Sequence, residues 1–453
     1  MNSNTIEWNA LSWREKIALQ QPVYMDEDKL NSAEATLRNY PPLVYFDEID
    51  RLKKDLAQVA LGNAFLLQGG ACAESFSEFS ESHILDTFRI LLQMALVITF
   101  AGKKNVVKMG RIAGQFAKPR SSPVEHRGCE TLPCYRGDIV NDLQFTDALR
   151  EANPERMLQA YFYSSATLNF LRSLSHGGYA KLENVNQWLL SFLEESPICE
   201  NYKKIANSIK RSITYVKDSK SVYGKQISFA EDIDFYTCHE ALLLPYEESL
   251  VRYHAISDLN YCTSAHFLWV GDRTRDLAGA HIEFVRGLEN PLGIKCGPTM
   301  QPDELLELLD VLDPKRELGK VSLISRMGSG KVEKHLLPLL KALKREGRLA
   351  ILVCDPVHGN THVSANGYKT RPFDKIYSEF EQFSQLVRSE GMHPGGLHIE
   401  MTGGDVTECV GGSAGITESD LSERYHSLCD PRLNASQALE LAFLVSEVFK
   451  NEN

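Results

Sequence analysis

The sequence predicts an α/β protein folded as a (β/α)8 TIM barrel, and three observations support this prediction. Eight short apolar segments each end in polar or glycine residues. Helical patterns separate several of them, and such alternation is typical of parallel strands joined by crossover helices. The polar ends are expected where a barrel gathers the carboxyl ends of its strands around an active site.

The predicted strands share an apolar beginning and a polar end. In chain order they are AFLLQGG (64–70), NVVKMGR (105–111), DIDFYTCHE (232–240), AHFLWVGDR (265–273), LGIKCG (292–297), KVSLISRMG (320–328), LAILVCDPVH (349–358) and GLHIEMTGG (396–404). Apolar residues at helical spacing precede the second, seventh and eighth strands, at 83–98, 333–347 and 373–391. A doubly wound open sheet is the alternative fold, but no glycine-rich dinucleotide fingerprint follows the first strand.

Two regions fall outside the regular alternation. Residues 1–60 form a predicted N-terminal extension that is mostly helical, and residues 61–453 form the catalytic barrel. Between strands 2 and 3, three amphipathic segments predict an inserted helical layer at about 150–222. We expect this layer to serve oligomer contacts or an effector site.

The composition excludes several classes of partner. A net charge of -11 and a pI of about 5.7 disfavour binding to nucleic acid or to an anionic membrane. The N-terminus lacks a signal pattern, and the apolar run at 91–102 is too short to span a bilayer, so we expect a cytoplasmic protein. The ten cysteines have no regular spacing and include no CxxC pair, which argues against a disulfide framework.

Four potential metal ligands lie at or after strand ends. Cys72 follows the first strand, His358 ends the seventh, Glu400 lies on the eighth, and Asp430 follows in CDPRLN. A thiolate, an imidazole and two carboxylates suit one divalent ion of the manganese, iron, cobalt or zinc class better than magnesium or calcium. A single histidine or acid of this kind is more often structural, so the prediction depends on the barrel bringing the four together.

Cationic groups occupy other strand ends and the loops that follow them. Because a charged residue inside an apolar strand is costly unless it is paired, Lys295 is expected to have a function. Arginine and hydroxyl groups are the usual ligands of phosphate and carboxylate groups, which predicts a small phosphorylated substrate. The candidates are Arg111, Lys118, Arg120, Ser121, Ser122, Arg273, Arg275, Lys295 and Arg326.

Common hydrolase and nucleotide motifs are absent from the sequence. The segment MGSGKV (327–332) lacks the first glycine and the final Ser or Thr of a phosphate-binding P-loop. Neither GxSxG nor HExxH occurs, which removes the common serine-hydrolase and metalloprotease signatures.

A series of long motifs resembles the type II 3-deoxy-D-arabino-heptulosonate 7-phosphate (DAHP) synthases. The resemblance extends from QQPVY near the N-terminus to the C-terminal helix. The motifs that carry it are LLQGGACAESF, GRIAGQFAKPRSS, YRGD, HEALLLPYEESL, SAHFLWVGDRTR, GIKCGP, ISRMG, CDPVHGNTH, GYKTRPFD, PGGLHIEMTG, VTECVGG and CDPRLNASQALELAFLV.

The resemblance implies an enzyme that opens the shikimate pathway to chorismate and the aromatic amino acids. In this reaction phosphoenolpyruvate condenses with erythrose 4-phosphate on a (β/α)8 barrel, and a bound metal acts as a Lewis acid on the aldehyde. By motif match, the metal ligands fall on Cys72, His358, Glu400 and Asp430. The phosphoenolpyruvate contacts fall on Arg111, Arg273, Lys295 and Arg326, with Asp272 close by.

The same match assigns the second substrate and the proton donor. Arg120 and Ser121 correspond to the site for the phosphate of erythrose 4-phosphate, and Lys118 corresponds to a lysine near both substrates. Lys118 is implied to donate the proton that the new alkoxide needs. Feedback by an aromatic effector and a homo-oligomeric state are further expectations from the family.

The chain departs from the family pattern at four positions. Ala71 replaces the aspartate of GDCAE, and Asp272 replaces the glutamate of GERTR. Cys134 and Cys238 stand where serine is common. Two alternatives therefore stay open: the same chemistry on a modified aldehyde such as an amino-sugar analogue, and a regulatory paralogue without turnover.

Overall fold

The computed structural model describes residues 8–195, 200–223 and 233–450 of the chain. Parts of several predictions lie outside the described residues. These are residues 1–7 of the extension, 196–199 of the helical insertion, and 224–232 and 451–453 of the barrel, with residue 232 at the start of the predicted third strand.

Eight parallel strands close into a barrel, which confirms the predicted fold class. Each barrel strand pairs with the barrel strands that precede and follow it along the chain, and the last barrel strand pairs with the first. The strands are β1 (Ala64–Gly70), β2 (Asn105–Arg111), β5 (Tyr236–Glu240), β8 (Phe267–Val270), β9 (Leu292–Cys296), β10 (Val321–Ser325), β11 (Ile351–Cys354) and β14 (Pro394–Glu400). All eight lie within or beside the predicted segments, and most are shorter because the polar ends of those segments are loops.

Three antiparallel hairpins and a set of helices complete the described structure. The hairpins are β3 (Val124–Arg127) with β4 (Glu130–Pro133), β6 (Val251–His254) with β7 (Leu259–Cys262), and β12 (His362–Val363) with β13 (Lys369–Thr370). The helices are α1 (Glu27–Asn39), α2 (Phe46–Ala60), α3 (Glu81–Gly102), α4 (Asp147–Arg150), α5 (Glu155–His176), α6 (Leu182–Glu195), α7 (Glu200–Tyr223), α8 (Leu244–Ser249), α9 (Ala280–Val285), α10 (Pro302–Leu312), α11 (Val332–Arg345), α12 (Phe373–Ser389) and α13 (Ala435–Lys450).

Side chains alternate across the barrel wall, as the two-residue period of a strand requires. Along β1, Leu66 packs inside the barrel, while Phe65 and Leu67 pack outward against the helices. The interior cluster also contains Leu52 and Leu56 of α2. Helix α2 therefore closes the end of the barrel opposite the strand carboxyl ends, and it leaves the other end available for chemistry.

Helix α3 is long and apolar enough to cross a bilayer, and it is the one such helix among the described residues. Ser80 caps its N-terminus by accepting a hydrogen bond from the backbone N–H of His83 at 3.2 Å. Most of its apolar stretch is buried against β2, α6 and α13. This burial is that of a core helix in a globular protein.

The helices between β2 and β5 pack on the outside of the barrel. Helices α6 and α7 contact each other and α3. The ring of Tyr202 on α7 stacks on Phe443 of α13, with centroids 4.3 Å apart and planes inclined by 7°. An aromatic contact therefore joins α7 to the C-terminal helix of the barrel.

The N-terminal extension is bound to the barrel by two exposed arginines that pair with two buried acids. Arg14 binds Glu34 at 2.8 Å and Glu248 at 2.7 Å, and Arg38 bridges the same two carboxylates at 2.9 and 2.7 Å. Both acids are nearly inaccessible to solvent. Since α2 also packs into the barrel, a division of the chain at residue 60 stays a prediction.

Replacing Phe443 with alanine will test the packing between α7 and the barrel. The side chain is fully buried, so we expect Phe443→Ala to lower the free energy of unfolding by about 3–5 kcal/mol. The control is Phe162→Ala, since Phe162 on α5 is 54% exposed and should change stability far less. Denaturant unfolding followed by circular dichroism measures both, and equal losses would contradict the packing described.

Candidate active site

The strand register brings the carboxyl ends of the barrel strands to one level. Gly70, the last residue of β1, pairs with both Arg111 and Glu400. On the opposite side of the barrel, Ser325 pairs with Cys296 and Cys354. The loops that leave these ends surround a cavity of about 230 Å³.

Most of the residues predicted from the sequence line this cavity. Four of the predicted candidates lie outside the lining, namely Arg120, Ser121, Ser122 and Arg275. The predicted residues in the lining are Cys72, Arg111, Lys118, Asp272, Arg273, Lys295, Arg326, His358, Glu400 and Asp430. The wall also contains Gln115, Pro119, Glu240, Trp269 and Gly271.

The four predicted metal ligands come together on one side of the cavity. One ligand atom each from Cys72, Glu400 and Asp430 lie within 4.8 Å of one another. His358 Nε2 lies 3.0 Å from Glu400 Oε1, so the imidazole faces the same cluster. A sulfur, a nitrogen and two carboxylate oxygens form the mixed donor set expected for a divalent transition metal or zinc.

A positive charge already lies among these groups. The ammonium of Lys118 hydrogen-bonds Cys72 Sγ, lies 2.6 Å from Asp430 Oδ2 and lies 3.9 Å from Glu400 Oε1. Although burial opposes the charged form, the surrounding Cys72, Glu400 and Asp430 raise the pKa of Lys118 well above its usual value. The cluster therefore fits a cation.

Among the acids of the cluster, Glu400 contacts the most basic side chains. It accepts hydrogen bonds from Arg111 Nη2 at 3.1 Å and from Arg371 Nη1 at 2.7 Å, and it has no exposed surface. Burial alone would raise the pKa of its carboxyl, but His358, Lys118 and the two arginines lower it well below the usual range. Glu400 is therefore an ionised acid at neutral pH.

Asp355 joins the metal-ligand side of the cavity to the cationic side. Its carboxylate accepts from His358 Nδ1 at 2.8 Å and pairs with the ammonium of Lys295. Despite complete burial, the charges of His358 and Lys295 hold the pKa of Asp355 well below its usual value. The contact with Nδ1 leaves His358 Nε2 directed at the acidic cluster, as metal-binding histidines commonly require.

A chain of hydrogen bonds in the barrel interior orients Arg111. The amide of Gln68 binds His398 Nδ1 through Oε1 at 2.7 Å, and its Nε2 donates to Cys238 Sγ at 3.2 Å. Since Gln68 Oε1 can only accept, His398 Nδ1 carries the proton and Nε2 accepts from Arg111 Nη1 at 2.6 Å. His398 thus supports the arginine without joining the acidic cluster.

Lys295 and Arg111 lie over the same aromatic ring. The Lys295 Nζ is 5.9 Å and the Arg111 Cζ 5.1 Å from the ring centre of Trp269. Burial, together with repulsion from Arg111 and Arg326, lowers the pKa of Lys295 to about 8, although Asp355 opposes this shift. The two cations and the aromatic face form a pocket suited to a small planar anion.

Asp272 interacts with Arg326 of the wall and with Arg275 behind it. Its carboxylate binds Arg275 Nε at 2.9 Å and Arg326 Nη1 at 3.2 Å. The departure from glutamate therefore leaves an acid that still reaches Arg326. Ala71, the other departure next to the acidic cluster, offers its backbone carbonyl to Arg111 Nε at 3.2 Å.

Arg120 and Ser121 lie at the rim of the cavity. Arg273 Nη2 donates to Ser121 Oγ at 2.9 Å, which joins the loop after β2 to the loop after β8. The guanidinium of Arg120 lies 3.1 Å from Glu125 Oε1. The structure thus brings Ser121 and Arg273 together and holds Arg120 beside them through its own loop.

The sequence analysis missed Glu240, although a signal was present. Glu240 is the last residue of β5 and lines the cavity, and its Oε1 has no hydrogen-bond partner among the described residues. Burial raises the pKa of this carboxyl. The rule that polar strand ends face the active site applies to Glu240 as it does to Arg111.

Asp355 and Arg371 were also absent from the predicted set. Asp355 follows β11 directly, so the same positional rule would have found it. Arg371 lies between β13 and α12 and reaches Glu400 from outside the ring of strands. The signal that could have found Arg371 is its place in the motif GYKTRPFD, since no positional rule of the barrel applies to it.

Comparisons with known proteins identify relatives of this chain. A profile of the Class-II DAHP synthetase family matches residues 8–446. The chain is 44% identical over 452 residues, covering 100% of both chains, to phospho-2-dehydro-3-deoxyheptonate aldolase of Streptomyces coelicolor. It is 44% identical over 441 residues to phospho-2-dehydro-3-deoxyheptonate aldolase AroG of Mycolicibacterium smegmatis, covering 96% of this chain and 93% of the relative.

A solved structure of phospho-2-dehydro-3-deoxyheptonate aldolase from Francisella tularensis SCHU S4 also matches. The match has a TM-score of 0.49 and 14% sequence identity, and it covers 93% of this chain and 97% of that one.

Removing the carboxylate of Asp355 will test the buried charge network. Asp355→Ala leaves the Lys295 ammonium buried without its counter-charge, and we expect a loss of about 3–5 kcal/mol in the free energy of unfolding. The control is Asp303→Ala, since Asp303 is an exposed acid on α10. Urea unfolding of both variants checks this, and a stability equal to the wild type in Asp355→Ala would refute the network.

Proposed function

Since the chain belongs to the class-II DAHP synthetase family, an enzyme family of aromatic biosynthesis, we propose that it condenses phosphoenolpyruvate with erythrose 4-phosphate in a metal-dependent reaction. The products are DAHP and inorganic phosphate. The observation that carries the proposal is one cavity in which a four-residue metal-ligand set faces a ring of cations.

The metal would be held by Cys72, His358, Glu400 and Asp430. A bound divalent ion would supply Lewis-acid polarisation of the aldehyde oxygen. The mixed sulfur, nitrogen and oxygen donors favour manganese, iron, cobalt or zinc. Arg371 and Asp355 orient Glu400 and His358 for this task, since each binds the side of the ligand that faces away from the cluster.

The cationic side of the cavity binds phosphoenolpyruvate. Arg111, Lys295 and Arg326 neutralise its carboxylate and phosphate, and Arg273 joins them from the rim. Trp269 presents an apolar face on which the planar enol can lie. Because two anionic substrates repel each other in water, fixed cations that hold both lower the barrier by positioning and by charge neutralisation.

Lys118 and Glu240 transfer the protons. The enol carbon attacks the aldehyde, a carbon–carbon bond forms, and Lys118 donates a proton to the oxygen that becomes an alkoxide. Water then adds at the carbon that bears the phosphate, and Glu240, whose raised pKa makes it a better base than an exposed carboxylate, accepts the proton. Phosphate leaves by cleavage of the C–O bond and takes the proton of the new hydroxyl group, which leaves a ketone, and the proton held by Glu240 replaces the one that Lys118 donated.

The second substrate enters at the rim. We assign its phosphate to Arg120 and Ser121, which places its aldehyde toward Lys118 and the acidic cluster. A modified aldehyde would meet the same groups. The complete set of cavity residues argues against a paralogue without turnover.

An aromatic effector and a homo-oligomer complete the proposal. A cleft of about 390 Å³ lies between the end of α3 and α7, lined by Phe100, Lys103, Ile205, Ser208 and Ile209 among others. Its mixture of apolar and polar groups suits a small effector.

A cytoplasmic location agrees with this chemistry, since both substrates are metabolites of the cytoplasm.

The proposal is tested directly with purified protein and both substrates. We expect loss of phosphoenolpyruvate only when erythrose 4-phosphate is present, loss of activity on chelation, and recovery with added manganese, cobalt, iron or zinc. Turnover that survives complete chelation would refute the metal dependence. Turnover of phosphoenolpyruvate with an amino-sugar phosphate but not with erythrose 4-phosphate would support the modified-aldehyde alternative.

Replacing Cys72 with alanine should abolish metal-dependent turnover without unfolding the protein. The thiolate supplies one of the four ligands, so the variant should also retain less metal by elemental analysis. Cys129→Ala is the matched control because Cys129 is an exposed thiol in the turn between β3 and β4 and does not line the cavity. A Cys72→Ala enzyme with full activity and full metal content would rule out the ligand assignment.

The pKa of Lys295 predicts a pH dependence for phosphoenolpyruvate. Its ammonium form binds the anion, and because its pKa is lowered to about 8, this form is lost as pH rises through about 8. We therefore expect kcat/KM for phosphoenolpyruvate to fall above that pH. In Lys295→Arg the guanidinium does not titrate in this range, so the alkaline fall should disappear even if overall activity is lower; its persistence would exclude Lys295 as the cause.

A further inference from the structure

Residues 17–24 of the N-terminal extension, which we call the strap, run across the loops at the strand carboxyl ends. The carbonyl of Ile17 accepts from the backbone N–H of Ala280 at 3.1 Å. The amide of Gln21 donates to Leu242 O at 2.7 Å and accepts from Leu244 N–H at 3.1 Å. These contacts hold the strap over the loops that follow β5 and β8.

Gln20 makes a different set of contacts, with Arg120 in the loop after β2 and with Arg136 after β4. Its Oε1 accepts from the backbone N–H of Arg120 at 2.9 Å, and its Nε2 donates to the carbonyl of the same residue at 3.1 Å. A side-chain amide thus pairs with both polar groups of one residue, as a neighbouring strand would. This pairing fixes the backbone of Arg120.

Arg136 completes the enclosure of this loop. Its Nη1 donates to the Gln20 carbonyl at 3.3 Å and lies 3.4 Å from Gln20 Oε1. The carbonyl of Arg136 accepts from the backbone N–H of Lys118 at 2.8 Å. The segment 118–120 is therefore held at Lys118 by Arg136 and at Arg120 by Gln20.

The backbone of Gln20 adopts an unfavourable conformation to make these contacts. Its φ of 62° lies in the left-handed region, which a residue with a Cβ rarely occupies. Such a conformation persists only where surrounding contacts hold it, and strained residues of this kind cluster at functional sites. The hydrogen bonds with Arg120 and Arg136 are the contacts that hold it here.

We propose that Gln20 is a positioning residue for the aldehyde substrate, because its amide fixes the loop that carries Lys118, Arg120 and Ser121. The inference rests on the proposed function, in which Arg120 and Ser121 hold the phosphate of erythrose 4-phosphate. Gln20 itself touches no reacting atom. The strap thereby ties the N-terminal extension to the subsite of the aldehyde substrate, whereas Arg111 and Lys295 of the other subsite lie on barrel strands.

The test is a set of steady-state measurements on Gln20→Met and Gln20→Ala. Methionine keeps the length of the side chain but lacks the amide, so both variants lose the pairing with Arg120. We expect KM for erythrose 4-phosphate to rise about tenfold in each, because a loop displaced by a fraction of an ångström holds its ligand poorly. KM for phosphoenolpyruvate should stay within about twofold, since Arg111 and Lys295 of its subsite lie on the barrel strands β2 and β9.

Gln21→Ala is the matched control. Gln21 holds the same strap through Leu242 and Leu244, and the hydrogen bonds to Arg120 come from Gln20. The control variant should leave KM for erythrose 4-phosphate within about twofold of the wild type. The inference is overturned if Gln20→Met behaves as the wild type, if both KM values rise together, or if Gln21→Ala has the same effect. A wild-type enzyme that does not consume erythrose 4-phosphate would overturn the proposed function itself, whereas an active wild type with unchanged Gln20 variants would overturn only this inference.

Discussion

The balance of charge around Glu400 is the constraint on which the mouth of the barrel depends. This carboxylate has no contact with solvent, yet Arg111, Arg371 and His358 keep it ionised. An ionised acid without partners in such a position would be strongly destabilising, and the same holds for each arginine without the acid. The fold therefore tolerates this group only as part of a complete network, and the network determines where Cys72 and the other strand-end groups can lie.

Asp355 extends this network across the cavity. Because one carboxylate contacts both His358 and Lys295, the acidic cluster and the anion-binding cations share a counter-charge. A change of charge on one side therefore changes the electrostatic potential on the other, because the buried surroundings have a low dielectric constant. Such coupling suits a reaction that must bring an anionic enol and a polarised aldehyde into contact at the same time.

The candidate site could be predicted in part because barrels obey a positional rule. Cys72, Arg111 and His358 were found as reactive groups at the ends of apolar runs, and the rule extends to Glu240 and Asp355, which were overlooked. Arg371 obeys no such rule, since it does not follow a barrel strand, and only its place in the motif GYKTRPFD marks it. Gln20 belongs to the same class: its partner Arg120 is 100 residues away, and only the folded chain brings them together.

The sequence by itself determined the order of strands and helices, the closure into eight strands, and the chemical types gathered at one end of the barrel. These follow from local periodicity and from the burial of apolar residues, both of which are written in short stretches of chain. Only the tertiary structure decided which acid neutralises which base, the tautomer of His398, and the passage of the strap over the loop after β2. These depend on distances between residues tens to hundreds of positions apart, which are set by packing and by the requirement that every buried charge find a partner.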